Sequence, residues 1–333
     1  MKISVLGAGA WGTAIACHAA RRHPVHLWAR NADQVRDMAA RRENSRYLAG
    51  ARFPDGLAVG ADLGDALAAS DGGLLLVGTT VAGFGEVLAD IARQPGRGRP
   101  AAMLWLCKGI DPATGRLPHQ VAQAAGLGIP CGALSGPSFA QEVAAGLPVA
   151  LVAAATDPAV CGVAVQALHH GAARIYPGED LVGVEIGGAM KNVIAIAAGI
   201  CDGLELGHNA RAALITRGLA EVARLGAALG ASRDTFLGLA GVGDLVLTCT
   251  GDLSRNRRVG LALAAGEPLE AIVATLGHVA EGVPCARAAR GLGMRHGVDL
   301  PITEAVVAVL DGRSGAREAV LALLSREPKA QET

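Results

Sequence analysis

A glycine-rich turn close to the amino terminus places the strongest constraint on how this chain folds. Residues 7–12 read GAGAWG, a G-x-G-x-x-G pattern between an apolar run at residues 3–6 and a helix-like segment. In a strand–turn–helix unit, Gly7 permits a tight turn, Gly9 lets the backbone approach a pyrophosphate, and Gly12 lets the helix pack closely on the strand. The context therefore predicts a dinucleotide-binding site, the alternative being a glycine-rich turn kept for packing alone.

Short apolar runs alternate with helix-like segments through the first half of the chain. The sequence predicts strands at residues 3–6, 25–29, 74–77, 103–106 and 131–134, a helix at 11–21, and further β-like runs at 148–154 and 173–176 that flank a helical pattern at 158–169. This alternation is typical of a parallel sheet whose strands are joined by right-handed helical crossovers. We therefore expect an α/β fold that begins with a Rossmann-type parallel-sheet domain.

Strand-like patterns end near residue 181, and only helical patterns follow. They lie at residues 209–229, 255–264, 269–276, 284–296, 303–310 and 316–323. The change falls in the turn-rich stretch 176–180, which can end a sheet and cap a long helix. The sequence thus predicts a Rossmann-type NAD(P)-binding domain over residues 1–179 and an all-helical, substrate-binding domain over residues 180–333.

Composition excludes several classes of function. The 30 basic and 30 acidic side chains cancel, so no overall field attracts nucleic acid or an anionic membrane, and any anion site must be local. The seven cysteines are scattered without CxxC spacing, which indicates a reduced cytoplasmic protein, and we expect no metal site. No run reaches the roughly 20 unbroken apolar residues of a membrane span. The glycines of residues 7–12 argue against a signal peptide.

The end of the predicted second strand carries a base where NAD-selective proteins usually carry an acid. An acid at that place accepts hydrogen bonds from the ribose hydroxyls of NAD. In this chain Arg30 and Asn31 follow the strand, and the first acid is Asp33. Because an arginine can pair with a 2′-phosphate, we expect NADP(H) to be accepted, and the choice between NADP(H) and NAD(H) stays open. The alternative is that Arg30 is an ordinary surface arginine.

One lysine lies alone on an apolar helix pattern. Lys191 is the only charged side chain between Glu185 and Asp202, and such a cation is costly unless it has a partner or a task. We interpret it as a desolvated lysine with a lowered pKa that exchanges a proton with a carbonyl oxygen. The alternative is a lysine that extends its ammonium to the surface. The preceding glycines, residues 187–188, are expected to leave room for a flat ring beside the amine.

Two further segments follow predicted strands. Lys108 comes directly after the fourth strand, and in an open parallel sheet ligands gather beyond the carboxyl ends of strands. The segment SGPSFA at residues 135–140 occupies the equivalent place after the fifth strand. There Ser138 can either donate to a ligand or cap the next helix.

An acid and a cluster of bases lie close together in the second half. The stretch 241–258 sets Asp244 in an apolar context and follows it with Ser254, Arg255, Asn256 and two further arginines. Arginine offers a planar fork of donors to a phosphoryl group, asparagine adds a neutral donor, and a serine before a helix leaves backbone N–H groups facing an anion. The pattern predicts either a phosphate site beside a catalytic acid or a basic, solvated helix start.

Taken together, these motifs resemble the bacterial NAD(P)-dependent glycerol-3-phosphate dehydrogenases over nearly the whole chain. The blocks that carry the resemblance are GAGAWGT from residue 7, KGI from 108, LSGPSFA from 134, GGAMKNVIAIAAGI from 187, NARAALITRG from 209, LAGVGDLVLTCT from 239, SRNRR from 254 and EGVP from 281. The resemblance implies a Rossmann domain, an all-helical second domain, and reversible reduction of dihydroxyacetone phosphate to sn-glycerol 3-phosphate by NAD(P)H, which supplies phospholipid synthesis. It allows a homodimer, and we expect no nucleic-acid partner and no stable membrane insertion.

The resemblance also implies roles for individual residues. It makes Lys191 the proton donor and acceptor, with Lys108 and Asp244 beside it. The implied substrate-binding residues are Lys108, Gly136, Ser138, Lys191, Asp244, Ser254, Arg255 and Asn256. The implied cofactor-binding residues are Gly7, Gly9, Ala10, Trp11, Gly12, Arg30, Asn31, Lys108, Ala140, Arg255, Val279 and Glu281. Thr248 adds a polar contact one turn beyond Asp244 if that stretch is helical.

The sequence departs from the family pattern at two places. Residues 78–81 read GTTV where the family usually has a Val-Pro-Ser-like turn, and His208 stands where the family often has an acid. The missing proline is expected to loosen that loop, which puts in doubt any cofactor contact that the loop carries.

Two other functions are weighed against this assignment. A related two-domain dehydrogenase for a hydroxy acid or a sugar acid would need a carboxylate-binding group in place of the Arg255–Asn256 pair. A nucleotide-sensing regulator without turnover is expected to lack at least one of Lys108, Lys191 and Asp244, and all three are present.

Overall fold

The computed structural model describes residues 1–94, 96–276 and 280–325, and their contacts form two compact units. The first unit comprises Met1–Cys107 and Pro118–Leu181, and the second comprises Lys108–Leu117 and Val182–Thr333. The chain therefore passes from one unit to the other three times. The segment Lys108–Leu117, which the sequence assigned to the first domain, groups with the second unit. The domain boundary at residues 179 and 180 stays a prediction.

The first unit is an α/β unit built on an eight-stranded sheet. Its elements in chain order are β1 (Ile3–Leu6), α1 (Ala10–Ala20), β2 (Val25–Trp28), α2 (Ala32–Arg41), β3 (Glu43–Asn44), β4 (Leu48–Arg52), β5 (Leu57–Gly60), α3 (Leu63–Ala68), β6 (Leu74–Val77), α4 (Val81–Ala92), β7 (Ala102–Trp105), α5 (Pro118–Ala125), β8 (Cys131–Ser135), α6 (Ala140–Ala145), β9 (Val149–Ala154), α7 (Pro158–Leu168) and β10 (Ala173–Gly178). The strand order is β10-β9-β8-β7-β6-β1-β2-β5, and β3 pairs with β4 separately. The predicted Rossmann-type fold is confirmed.

The central strands place the glycine turn at one edge of the sheet. β1, β6 and β7 are buried along their whole length, as expected for apolar strands covered by helices on both faces. In register, Leu6 of β1 lies opposite Val77 of β6 and Trp28 of β2. Because these three parallel strands end together, the turns that follow them share the carboxyl edge, where ligands bind in open α/β sheets.

The predicted parallel sheet contains one antiparallel junction. β8 and β9 pair antiparallel, with Ser135 opposite Val152, and β10 is parallel to β9. A parallel pair needs a crossover of a dozen or more residues, usually with a helix that runs the length of the sheet. Here the connection holds only the six-residue helix α6, so the chain re-enters the sheet from the edge at which it left.

Every regular element that the structure describes in the second unit is helical, whereas Lys108–Leu117 forms only turns and loop. Its elements are α8 (Leu181–Gly203), which begins at the last residue of the first unit, α9 (Gly207–Ala228), a 3₁₀ turn (Arg233–Leu237), an irregular π-type turn (Leu239–Gly243), α10 (Asp244–Thr250), α11 (Arg255–Ala264), α12 (Leu269–Leu276), α13 (Gly282–Arg295), α14 (Pro301–Leu310) and α15 (Ala316–Leu324). This confirms the predicted helical second half.

Helix α8 is the central element of the second unit. By length and composition it could cross a membrane, yet 94% of its most apolar 18-residue window is buried inside the protein, as in a core helix. It meets α11 at two glycines. A Cβ on Gly199 would lie 2.0 Å from the Arg257 carbonyl oxygen, and a Cβ on Gly260 would lie 2.0 Å from that of Ile196. Since no larger residue fits, these glycines hold the start of α11 against α8.

Candidate active site

A buried aspartate lies between two lysines in the second unit. The Asp244 side chain is fully buried, and it begins α10. Lys108 Nζ donates to Asp244 Oδ2 at 2.7 Å, and Lys191 Nζ donates to Oδ1 at 2.5 Å. The two lysine side chains are only 12% and 10% exposed. The structure thus brings together the three residues to which the resemblance assigned the chemistry, and the cluster carries one net positive charge.

Thr248 completes the surroundings of the Lys191 ammonium. Since α10 is helical, Thr248 lies one turn beyond Asp244, and its hydroxyl donates to the Asp244 carbonyl oxygen at 2.6 Å. Lys191 Nζ donates to Thr248 Oγ1 at 3.0 Å. An ammonium has three N–H donors. Two of them are directed at Asp244 and Thr248, and the contacts described for Lys191 do not use the third.

Burial controls the protonation of Lys191. Desolvation lowers the pKa of Lys191 from the usual 10.5 to about 8, the Asp244 carboxylate opposes this shift, and the Lys108 ammonium adds to it. The lowered pKa is the direction that the sequence predicted. A lysine with a pKa near neutrality can donate a proton and accept it again within one catalytic cycle.

Gly187, one turn before Lys191, serves a different purpose from the one expected. A Cβ on Gly187 would lie 2.2 Å from the carbonyl oxygen of Ala240. The space at Gly187 is therefore filled by the irregular turn Leu239–Gly243, in which Gly241 has non-helical backbone angles. The expectation of room for a flat ring at Gly187 was wrong. The close approach instead brings Asp244, directly after this turn, onto the helix that carries Lys191.

A second polar cluster joins the next residue of α8 to the start of α11. Asn256 Nδ2 donates to Asn192 Oδ1 at 2.8 Å, and the Gly282 amide donates to Asn256 Oδ1 at 3.0 Å. Asn192 was missed at the level of sequence, although it is the polar neighbour of Lys191 on an apolar helix. The predicted substrate residue Asn256 is thus held by α8 and by the start of α13, close along α8 to Lys191.

The other residues at the start of α11 differ in their surroundings. Ser254 is the N-cap of α11, and its Oγ accepts from the Arg257 amide at 3.2 Å. Arg255 is exposed, as a ligand-binding arginine at a helix start would be. Arg257 is not a free surface arginine, as the sequence suggested, because it pairs with Asp202 at 2.8 Å and with Asp252 at 3.0 Å.

The glycine turn of the first unit has the geometry that a dinucleotide requires. Gly7 has φ +115°, and a Cβ there would lie 2.7 Å from the Gly78 carbonyl oxygen. A Cβ on Gly12 would lie 2.0 Å from the Gly7 oxygen, whereas a Cβ on Gly9 would meet nothing within 4 Å. Gly9 therefore faces open space, and as the N-cap of α1 it stands where amides attract an anion. These residues fit a pyrophosphate.

The residues beside the glycine turn have mixed surroundings. Ala10 and Trp11 form the first turn of α1, and Trp11 packs on the core of the unit. Asn31 caps α2, since its Oδ1 accepts from the amides of Asp33 and Gln34 at 2.8 and 3.1 Å. Their roles at a cofactor stay predictions.

The remaining predicted site residues divide between the two units. Gly136 has φ +133°, Ser138 Oγ donates to the Gly136 carbonyl oxygen at 2.9 Å, and Ala140 begins α6, all in the first unit. Glu281 is the N-cap of α13 in the second unit. Val279 lies outside the described residues.

The two departures from the family pattern take part in local contacts. Thr80 is the N-cap of α4, and its Oγ1 accepts from the Gly83 amide at 3.3 Å. His208 contacts Arg211 at 3.0 Å, and Arg211 in turn pairs with Asp202. Within the described residues, the structure contains no group of three histidine, cysteine or acidic side chains that could hold a metal ion.

These features define the class of protein. A dinucleotide-type turn on a Rossmann-type sheet, followed by a helical unit with a desolvated lysine, characterises two-domain dehydrogenases of the nicotinamide-dependent type. Two family models match the chain, the NAD-dependent glycerol-3-phosphate dehydrogenase N-terminus over residues 2–161 and its C-terminus over residues 180–321. The chain belongs to this glycerol-3-phosphate dehydrogenase family.

Individual relatives agree with the family models. The chain is 56% identical to a glycerol-3-phosphate dehydrogenase [NAD(P)+] of Janthinobacterium sp. (strain Marseille), over 99% of each chain. It is 54% identical to the enzyme of that name from Dechloromonas aromatica (strain RCB), again over 99% of each. The crystal structure of glycerol-3-phosphate dehydrogenase from Coxiella burnetii matches with a TM-score of 0.92 and 39% identity, covering 97% of this chain and 98% of that one.

Proposed function

We propose that this chain reduces dihydroxyacetone phosphate to sn-glycerol 3-phosphate with NAD(P)H, reversibly, and thereby supplies glycerol 3-phosphate for phospholipid synthesis. Full-length relatives at 54–56% identity carry this activity in their names. The single structural observation that supports it most is the desolvated Lys191, held by Asp244 and Thr248 with one N–H that these two contacts do not use. The family match also removes the support for the two rival functions.

Lys191 is the acid of the reduction. NAD(P)H held at the glycine turn would supply a hydride to C2 of the ketone, and negative charge would then develop on the carbonyl oxygen. The Lys191 ammonium stabilises that charge and gives its proton to the oxygen, which leaves an alcohol and a neutral amine that takes a proton back from solvent. Asp244 holds the Lys191 ammonium in position by an ion pair, and Lys108 brings a second positive charge next to the same carboxylate. In the oxidative direction the neutral Lys191 amine accepts the proton.

Arg255 and Asn256 bind the substrate phosphate in this proposal. They lie at the start of α11, whose free amides and partial positive charge favour an anion. Phosphate binding at a distance from C2 supplies binding energy that aligns the ketone with Lys191. Gly136 and Ser138 are further substrate contacts in the proposal, and Ala140, Val279 and Glu281 are cofactor contacts.

The cofactor and the cellular setting are also proposed in finer detail than the family requires. The glycine turn fits the pyrophosphate of either NADPH or NADH, and Arg30 favours NADPH. We propose a cytoplasmic enzyme that needs no metal ion and that takes small molecules, without nucleic acid or membrane insertion. A homodimer is compatible with this proposal.

Initial rates test the function. Purified protein is given dihydroxyacetone phosphate with NADPH and, separately, with NADH, and cofactor oxidation is followed by absorbance. Turnover that depends on the ketone phosphate supports the proposal. Failure with both cofactors, in a protein with the circular dichroism of a folded α/β chain, overturns it.

The pH profile reports the protonation of Lys191. Reduction needs the ammonium, so kcat/KM for dihydroxyacetone phosphate should fall as pH rises through about 8, the lowered pKa of Lys191. Oxidation of glycerol 3-phosphate needs the neutral amine, so its kcat/KM should rise with pH and level off above about 8. A limb near 10.5 in both directions would mean that burial does not control this proton.

Replacing Arg255 by alanine should weaken phosphate recognition. A charged hydrogen bond contributes about 1.5–3 kcal/mol, so the KM for dihydroxyacetone phosphate at saturating cofactor should rise roughly 10- to 150-fold. Arg258→Ala is the matched control, because Arg258 is an exposed arginine one turn along the same helix. Dihydroxyacetone without phosphate should react equally slowly with the wild type and with Arg255→Ala. An unchanged KM for the phosphorylated ketone would contradict the phosphate site.

A further inference from the structure

Two acids of α4 already hold the arginine that follows β2. Arg30 Nη1 donates to Glu86 Oε1 at 3.0 Å, and Arg30 Nη2 lies 3.5 Å from Asp90 Oδ2. Glu86 and Asp90 are four residues apart, so they project from the same face of the helix. Asp90 also pairs with Arg93. Arg30 is therefore not an isolated cation but part of an exposed ion-pair network with α4.

The pair joins the two elements that lie on either side of the strand before the glycine turn. In the sheet β1 lies between β6 and β2, and the three strands end in register. Arg30 follows β2 and Glu86 lies on the helix that follows β6, so their contact links the segments that follow the two neighbours of β1. The pair thus lies at the carboxyl edge of the sheet, on the part of the first unit to which a dinucleotide binds.

The carboxylate that pairs with Arg30 comes from α4 and not from the segment that follows β2. Asp33, the first acid after β2, pairs with Arg36 of its own helix and not with Arg30. Glu86 instead brings a carboxylate to the Arg30 guanidinium, with 61% of the Glu86 side chain exposed and so open to a ligand. A carboxylate accepts hydrogen bonds from ribose hydroxyls and repels a phosphate.

We propose that Glu86 is a specificity-determining residue that sets the preference between NADPH and NADH through its contact with Arg30. The inference rests on the proposed function. A 2′-phosphate must compete with Glu86 for the Arg30 guanidinium and approach the Glu86 charge, whereas the 2′-hydroxyl of NADH does neither. Glu86 therefore weakens NADPH binding relative to NADH binding, and Asp90 supports it from the next turn of α4.

The experiment measures dissociation constants and turnover for both cofactors. Isothermal titration with NADP⁺ and NAD⁺, and initial rates with NADPH and NADH, are compared for the wild type and Glu86→Gln. Exposed charge pairs of this kind change affinity about two- to fivefold. In Glu86→Gln the ratio of the NADP⁺ to the NAD⁺ affinity should rise by that factor, with kcat nearly constant. Glu86→Asp, which keeps the charge, should restore most of the wild-type ratio.

Two controls separate this role from a structural one. Asp55→Asn is the control for the loss of an exposed acid. Asp55 lies just before β5, whose first residue pairs with the first residue of β2, so Asp55 is at the end of the sheet opposite to Arg30. This variant should leave the affinity ratio unchanged. In an Arg30→Ala background, Glu86→Gln should change the ratio less, because the residue through which it acts is gone. Added salt should shrink the effect, since the Debye length falls to about 3 Å at 1 M.

The outcomes for the two proposals differ. A ratio that does not move in Glu86→Gln, or that moves toward NAD⁺, overturns the role of Glu86 even if dihydroxyacetone phosphate is reduced normally. If the wild type binds both dinucleotides normally but does not reduce the ketone, the proposed function is overturned. The role of Glu86 is then decided only by the ratio of the two dinucleotide affinities. Lack of binding of either dinucleotide overturns both.

Discussion

Lys191→Met should lower kcat for dihydroxyacetone phosphate reduction by roughly 10²–10⁴-fold, the usual contribution of a positioned acid. Methionine keeps an unbranched apolar chain in the buried space, so the packing of α8 is retained. What is lost is the ammonium that donates to Asp244 and Thr248 and that, in the proposed mechanism, stabilises the developing oxyanion. Asp244 keeps Lys108 as its partner, so the change leaves no unpaired charge.

The measurement separates chemistry from binding. Dissociation constants for NADPH, from quenching of its fluorescence, should be nearly those of the wild type, because the glycine turn lies in the other unit. Lys2→Met is the matched control, since it replaces an exposed lysine with the same side chain, and it should turn over normally. If Lys191→Met turns over within a factor of about ten of the wild type, the loss is smaller than a general acid normally contributes. That result would remove Lys191 from the mechanism.

The elements that could be predicted from the sequence are those with strong local patterns. The central strands β1 and β6 were predicted with their observed bounds, because uninterrupted apolar runs between turn residues have few other structures open to them. The helices α11 and α12 were likewise predicted with their observed ends. The short edge strand β5, with the sequence LAVG, was missed because its strand pairing depends on β2 and not on a pattern of its own.

At the site, too, local patterns predicted single residues, whereas contacts between distant residues could not be predicted from them. Lys191 and Asp244 were predicted as candidates because a charge in an apolar stretch needs a partner. Their contact joins residues 53 positions apart, and the contact of Asp244 with Lys108 joins residues 136 positions apart. No local pattern reports such pairs, so their proximity came from family resemblance. The pairing of Arg257 with Asp202, which lies on a different helix, was not predicted at all, because neither a local pattern nor the resemblance indicated it.

Asp244→Asn should destabilise the second unit strongly as well as reduce turnover. The carboxylate is fully buried and is the shared counter-ion of two ammonium groups. Removing one partner of a buried ion pair typically costs about 3–5 kcal/mol, because the remaining charge stays buried without compensation. In this variant two ammonium groups would face one neutral amide. Thermal unfolding should therefore begin at a lower temperature, and the helical signal of the second unit should be lost first.

A double variant tests whether charge is the cause. Lys108→Met alone should lower the free energy of unfolding only a little, because the charges of Lys191 and Asp244 still balance each other. Combined with Asp244→Asn it should restore part of the lost stability, since only one ammonium group then faces the neutral amide. If the double variant is as unstable as Asp244→Asn, or less stable, the loss comes from packing or hydrogen bonding and not from charge.

The pH dependence of Asp244→Asn provides an independent check of the same cause. In the wild type the pKa of Lys191 is about 8 in the folded chain, below its usual value of 10.5. Between these two pH values the folded chain therefore binds fewer protons than the unfolded chain. Lys191 thus makes the free energy of unfolding rise with pH in this window. Loss of the Asp244 carboxylate removes the charge that opposes this shift, so the pKa falls further and the window extends to lower pH. The stability deficit of Asp244→Asn should consequently shrink as pH rises toward the alkaline range. A deficit independent of pH would show that Lys191 does not carry an uncompensated charge in the variant.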